Sequence, residues 1–285
     1  MMKNNDKNEV QDSALEPELT SNKNLNETEN APKLSESDVS KDDMAHGSLS
    51  FNNFVLPYKK RNILNFVISG LLFIAFLIFT ILLKFVDVDA IGPNNSSVGF
   101  SKLNKAIADA IGYNDIWYKI TNILGYLAIL LALGFAIYAF VQLCKRKSIK
   151  RVDTDLILLG AFYISVIAFY CFFELFVVNY RPVLVDGALE ASYPSSHTML
   201  TISICCSSIF VLRKRIKSNE IFVPVSIALA IVSLVTVVGR IASGVHWFTD
   251  IIGACLLSAF LVMLYFSFVY LCEKKLKINN KENEK

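Results

Sequence analysis

The chain has 285 residues, 54% of them hydrophobic and 19% charged, with a mean hydropathy of +0.46. Its net charge of +3 joins two unlike pieces: residues 1–56 hold 5 Lys and 11 Asp or Glu (net −6), and residues 57–285 hold 23 Lys or Arg and 14 Asp or Glu (net +9). This asymmetry excludes a uniform soluble domain, in which about 25% of residues are charged.

Residues 1–50 are dominated by Asn, Ser, Glu, Lys and Asp, and the first aromatic residue is Phe51. Such a stretch buries too little apolar surface to offset the entropy of ordering. The segment 1–56 is therefore expected to be a disordered, acidic, cytosolic tail, with His46 as an ordinary polar residue. Its start lacks the charged, then apolar, then small order of a signal peptide.

From residue 63 the character changes. Six apolar runs follow, at 63–85, 123–143, 156–178, 195–212, 221–238 and 251–272. A helix crossing a bilayer needs about 20 apolar residues, so the expectation is an all-α, six-transmembrane helix bundle over 57–275 with a polar tail at 276–285. The runs at 195–212 and 221–238 are short, as buried and partly polar helices would be. One set of span flanks carries 17 Lys or Arg and the other set carries 6. The positive-inside rule then puts both termini in the cytosol and the segments 86–120, 179–196 and 239–250 outside. A plasma-membrane location follows as the expectation.

Within 86–120, Leu103, Ala106, Ile107, Ala110 and Ile111 repeat at helical spacing, followed by Trp117 and Tyr118. This pattern fits an amphipathic helix, either lying on the outer surface or packing over the bundle. The six cysteines, Cys144, Cys171, Cys205, Cys206, Cys255 and Cys272, all fall in or at the ends of apolar runs and read as small core residues. No Cys/His spacing suggests a metal. The basic residues are split among short membrane flanks, where they suit anionic lipid heads and not a nucleic acid. Oligomeric state is not encoded in any of these patterns.

Three polar clusters share the predicted outer face: Asn179-Tyr180-Arg181-Pro182, Tyr193-Pro194-Ser195-Ser196-His197, and Gly239-Arg240 on to His246 and Asp250. Charged groups at membrane depth are costly and usually functional. Arg181 and Arg240 offer permanently charged forks for phosphate oxygens. Ser195 and Ser196 stand at a helix start, where backbone N–H groups favour an anion. His246 and Asp250, four apart, share a face on a helix, so the carboxylate can fix the imidazole tautomer. His197 can supply a proton to a leaving oxygen. No carboxylate cluster suits magnesium, and no cofactor is implied.

The order Arg-Pro, Pro-Ser-x-His, Arg-x5-His-x3-Asp resembles the type 2 phosphatidic acid phosphatase (PAP2) superfamily over about residues 60–272. The resemblance implies metal-independent hydrolysis of a lipid phosphate or diphosphate. In it His246 is the nucleophile that forms a phosphohistidine, Asp250 orients it, and His197 is the general acid. Arg181, Arg240, Ser195 and the backbone at Ser196 hold the phosphoryl oxygens, with Tyr180 and Pro182 beside them. A phosphotransferase, or a lipid-phosphate binder with a disabled site, is the alternative. The chain departs from the family pattern at Glu174, where Lys is usual, at Ser196, where Gly is usual, and at Gly239, where Ser is usual. Glu174 is expected either to pair with an active-site arginine or to mark a less anionic substrate, and Glu190 to be a solvated loop charge.

Overall fold

The computed structural model describes residues 58–185 and 187–283, with side chains from 62 to 273; the acidic segment 1–56, with His46, lies outside the described residues. Among them run α1 (Tyr58–Phe85), α2 (Ser101–Ile111), α3 (Asp115–Arg146), α4 (Thr154–Leu175), α5 (Ser196–Arg213), α6 (Asn219–Ala242) and α7 (Phe248–Asn283). All but α2 are long and apolar enough to cross a membrane. Extended pairing among the described residues is limited to isolated bridges. The chain is thus an all-α, multi-pass membrane protein with six spans. In lipid, backbone groups must be satisfied within the segment, and helices do this. Large aliphatic side chains such as Leu130, Ile164 and Leu234 accordingly remain exposed on the outside of the bundle.

The spans differ in how deeply they sit. Half of the spanning residues of α5 and α7 are buried, against 6% for α6. Burial of α5 follows from its small residues: Thr198, Thr201, Ser203, Cys205, Ser207 and Ser208 are all buried, and short side chains let neighbouring helices approach closely. The same expectation fails for the run at 221–238, because α6 is peripheral. Its hydroxyls at Ser226, Ser233 and Thr236 bond back to the carbonyls of Phe222, Leu229 and Val232 on their own helix. They need no partner from the bundle, so the helix presents an apolar wall to lipid.

Helix boundaries also shift. The second span begins at Asp115, capped by Asn114, whose side chain accepts from the Trp117 N–H at 3.1 Å. Trp117 and Tyr118 therefore belong to α3 and not to the outer segment. The polar stretch 276–283 continues α7 as helix.

One aromatic anchor fixes the chain just before α5. Tyr193 is buried, parallel to Phe76 at 6.3 Å and edge-on to Phe173 at 5.6 Å, and its hydroxyl lies 2.7 Å from Thr80 Oγ1. Gly253 of α7 makes room for this ring: a Cβ there would stand 2.2 Å from Tyr193 Cε2. Gly253→Ala is expected to destabilise the protein by about 2 kcal/mol, the cost of overpacking a full core. Thermal unfolding in detergent checks this, and an unchanged midpoint would show that the ring is free to swing aside.

At the opposite end of the bundle, charges tie the loops. Arg215 Nη1 bonds Asp155 at 2.7 Å, Arg146 Nη1 bonds Asp153 at 2.8 Å, and Lys214 pairs with Glu273. Burial pulls the Asp153 carboxyl upward, but hydrogen bonds from Gln142 and Arg146 outweigh it and hold it below its ordinary value.

Candidate active site

The C-terminal ends of α4 and α6 and the N-terminal ends of α5 and α7 meet at one end of the bundle, and the polar clusters lie there. After α4 the chain folds back on itself, with Tyr180 bridged to Ala191 and the Ser192 N–H donating to the Asn179 carbonyl at 2.9 Å. This places Arg181 opposite Glu190, the Arg181 N–H reaching the Glu190 carbonyl at 3.1 Å. The Trp247 indole N–H donates to the Tyr180 carbonyl at 2.7 Å, and the Ser195 N–H to the Asp250 carbonyl at 3.2 Å. Three segments distant in sequence are thereby stitched together, largely through backbone atoms.

Helix α2 packs over this junction. Its buried residues are Ser101 and Asn104, while Leu103 and Ile111 of the apolar stripe stay exposed, which counts against that stripe packing over the bundle and leaves the surface-lying alternative standing. Asn104 decides the face. Its amide donates to Thr249 Oγ1 at 2.9 Å, and its carbonyl accepts from the Thr249 N–H at 3.2 Å. A buried amide satisfied on both sides outweighs a modest apolar face.

His246 sits in the turn before α7 and is 6% exposed. Its Nδ1 lies 3.0 Å from Ser192 Oγ, and its Nε2 is buried with no partner. Asp250 is wholly buried in the first turn of α7. Its Oδ1 accepts from Asn179 Nδ2 at 3.1 Å, and its Oδ2 from the Ser192 hydroxyl at 2.5 Å and the Trp247 N–H at 2.9 Å. Among the described residues Asp250 makes no hydrogen bond or ion pair with His246, so the direct contact expected from the spacing is absent. The physical reason is that His246 precedes the helix, and the shared helical face does not extend to it.

The arginines approach from two sides. Arg240 is fully buried; its Nη2 donates to Asn122 Oδ1 at 2.7 Å, and its guanidinium carbon lies 5.4 Å from the centre of the Tyr118 ring. Its Nε and Nη1 are buried without partners, as is Arg181 Nη1. Arg181 Nε lies 3.2 Å from Glu190 Oε2, an ion pair without hydrogen-bond alignment. Glu190, its side chain still 43% exposed, is thus a solvated loop charge that also pairs with Arg181. His197 opens α5 with a partnerless Nδ1, its ring edge close to α3: a Cβ at Gly125 would stand 2.8 Å from its Cδ2. Ser195 is buried with its hydroxyl 3.1 Å from Thr198 Oγ1; Ser196 and Pro182 are half-buried.

Burial lowers the His246 pKa well below its ordinary value, and the charges of Arg181, Arg240 and His197 lower it further. The imidazole is therefore neutral near pH 7, with a partnerless ring nitrogen and two guanidinium charges near enough to act on it. Unsatisfied buried donors are expensive. A tetrahedral oxyanion group is the ligand that satisfies several at once.

Glu174 takes no part in this arrangement. It is exposed at the C-terminal end of α4 and, among the described residues, forms no ion pair with Arg181 or Arg240. Glu174→Gln is therefore expected to leave kcat/KM within about twofold, as for an exposed charge. A loss of tenfold or more in steady-state assays would return Glu174 to the site.

Comparison with known proteins agrees with this architecture. The PAP2 superfamily model matches residues 159–274. The fold is similar to the "Crystal structure of the first transmembrane PAP2 type phosphatidylglycerolphosphate phosphatase from Bacillus subtilis", with a TM-score of 0.52 and 20% identity, covering 70% of this chain and 94% of that one. No curated protein matches the chain. The stretch matched by the family model contains Arg181, Ser192, His197, Arg240, His246 and Asp250, and over that stretch the chain is similar to the PAP2 superfamily.

Proposed function

We propose that this protein is a metal-independent membrane phosphatase that hydrolyses a lipid phosphate or diphosphate at the outer leaflet. One observation carries it: His246 Nε2 and the nitrogens of Arg181 and Arg240 are all buried without hydrogen-bond partners, save Arg240 Nη2 on Asn122, and both guanidinium charges act on the His246 ring. In this reading His246 Nε2 attacks phosphorus, and the bond from phosphorus to the lipid oxygen breaks. His197 gives its proton to that oxygen. Arg181, Arg240, Ser195 and the backbone N–H of Ser196 hold the phosphoryl oxygens as charge builds on them. His197 then takes a proton from water, the water oxygen attacks phosphorus, and the phosphorus–nitrogen bond breaks. Inorganic phosphate leaves, and both histidines return to their starting states.

A lipid substrate is supported by the six spans and by the phosphatase activity named for the structural neighbour. Outward orientation, with both termini cytosolic in the plasma membrane, is supported by the excess of Lys and Arg at the bundle end opposite His246. The test is phosphate release from phosphatidic acid, phosphatidylglycerol phosphate and an isoprenoid diphosphate by detergent-purified protein in EDTA. Release that survives EDTA is expected; its abolition points to a metal enzyme. In sealed right-side-out vesicles, externally added substrate should be turned over without permeabilisation.

A further inference from the structure

The Asp250 carboxylate does not reach His246, yet both contact one hydroxyl. Ser192 Oγ lies 2.5 Å from Asp250 Oδ2 and 3.0 Å from His246 Nδ1, and Ser192 is itself 2% exposed. We infer that Ser192 is the positioning residue through which Asp250 acts on His246; this rests on the reading of His246 as the nucleophile.

Proton counting supports the assignment. A serine hydroxyl has one proton and two lone pairs. An ionised carboxylate only accepts, so the Ser192 proton points to Asp250. The Asn179 amide and the Trp247 N–H complete a donor set suited to a carboxylate. Ser192 Oγ then meets His246 with a lone pair, and Nδ1 must carry the imidazole proton. The tautomer that results leaves Nε2 bare, as attack on phosphorus requires. Once Nε2 bonds phosphorus, the ring becomes cationic, and the carboxylate offsets that charge across the single oxygen of Ser192. The permanent charges acting on His246, those of Arg181 and Arg240, oppose the same development. Among the described residues Asp250 is thus the single anion coupled to the ring by hydrogen bonds, and Ser192 carries the coupling.

Ser192 is also well fixed. Its N–H donates to the Asn179 carbonyl at 2.9 Å, and the next residue, Tyr193, is packed between Phe76 and Phe173. Neither the loop nor the ring needs to move for the serine to serve both partners.

The test is a double-mutant cycle in the full-length, detergent-purified protein. Ser192→Ala is expected to lower kcat about 10²-fold while KM and inhibition by inorganic phosphate change less than about threefold. Asp250→Asn should cost at least as much. The double variant should be no slower than Asp250→Asn alone, because both changes cut one chain. Ser192→Thr, which keeps the hydroxyl, should recover at least tenfold over Ser192→Ala. Multiplicative losses in the cycle, or kcat within twofold of wild type in Ser192→Ala, would overturn the assignment. So would a loss matched by equally weakened phosphate inhibition, which marks a collapsed site. His246→Ala run in parallel separates the two levels. Activity retained there removes the nucleophile itself, whereas an inactive His246→Ala beside an unaffected Ser192→Ala removes only the relay.

Discussion

His246→Ala is expected to lower phosphate release by at least about 10⁴-fold, with the protein still folded. Removing a covalent nucleophile takes away the lower-barrier route altogether, and comparable losses accompany the removal of single members of catalytic triads. The ring is small, adjoins a turn and is bonded on one side only, so an alanine leaves the surrounding helices in place. Thermal unfolding near the wild-type midpoint, measured with the activity, distinguishes loss of chemistry from loss of fold. Activity within tenfold of wild type would remove His246 from the centre of the reaction.

Arg240→Lys should be the second largest effect, lowering kcat/KM about 10²- to 10³-fold. Lysine keeps the charge but has no planar fork: its three N–H groups radiate from one nitrogen and cannot span the separate positions of Nη2 at Asn122 and of Nε and Nη1. Loss of one preorganised donor to a developing oxyanion costs about that much. Inhibition by inorganic phosphate should weaken in the same variant, because the ground-state oxyanion uses the same nitrogens. A variant with normal phosphate inhibition would mean that Arg240 serves packing alone.

Much of this was legible in the sequence, for a definite reason. Arg181, His197, Arg240, His246 and Asp250 stand out because ionisable groups are conspicuous beside long apolar runs, and their order carries the family likeness. Ser192 does not stand out. A serine in a loop is ordinary, and its importance comes from a distance across 58 positions to Asp250. Glu190 gains its partner through the register of a short turn that composition does not reveal. The face of α2 that meets the bundle was hidden, because an apolar stripe counts hydrophobic residues, whereas Asn104 is buried by two hydrogen bonds to Thr249. The peripheral place of α6 was equally hidden, since a hydroxyl that bonds its own helix looks in sequence like one that bonds a neighbour.

That peripheral helix divides its constraints along its length. Over most of α6 the surroundings are acyl chains, which accept any aliphatic side chain of similar bulk. In its last two turns Thr236, Gly239 and Arg240 are buried, and Arg240 is bonded across to α3. Substitutions between Ile and Leu, or Val and Ile, along the outer wall should therefore pass almost unnoticed, while a change within the last seven residues meets buried Arg240 and its neighbours. Tolerance to mutation in α6 should read as a gradient from one membrane face to the other, steepest where the lipid wall ends and the arginine begins.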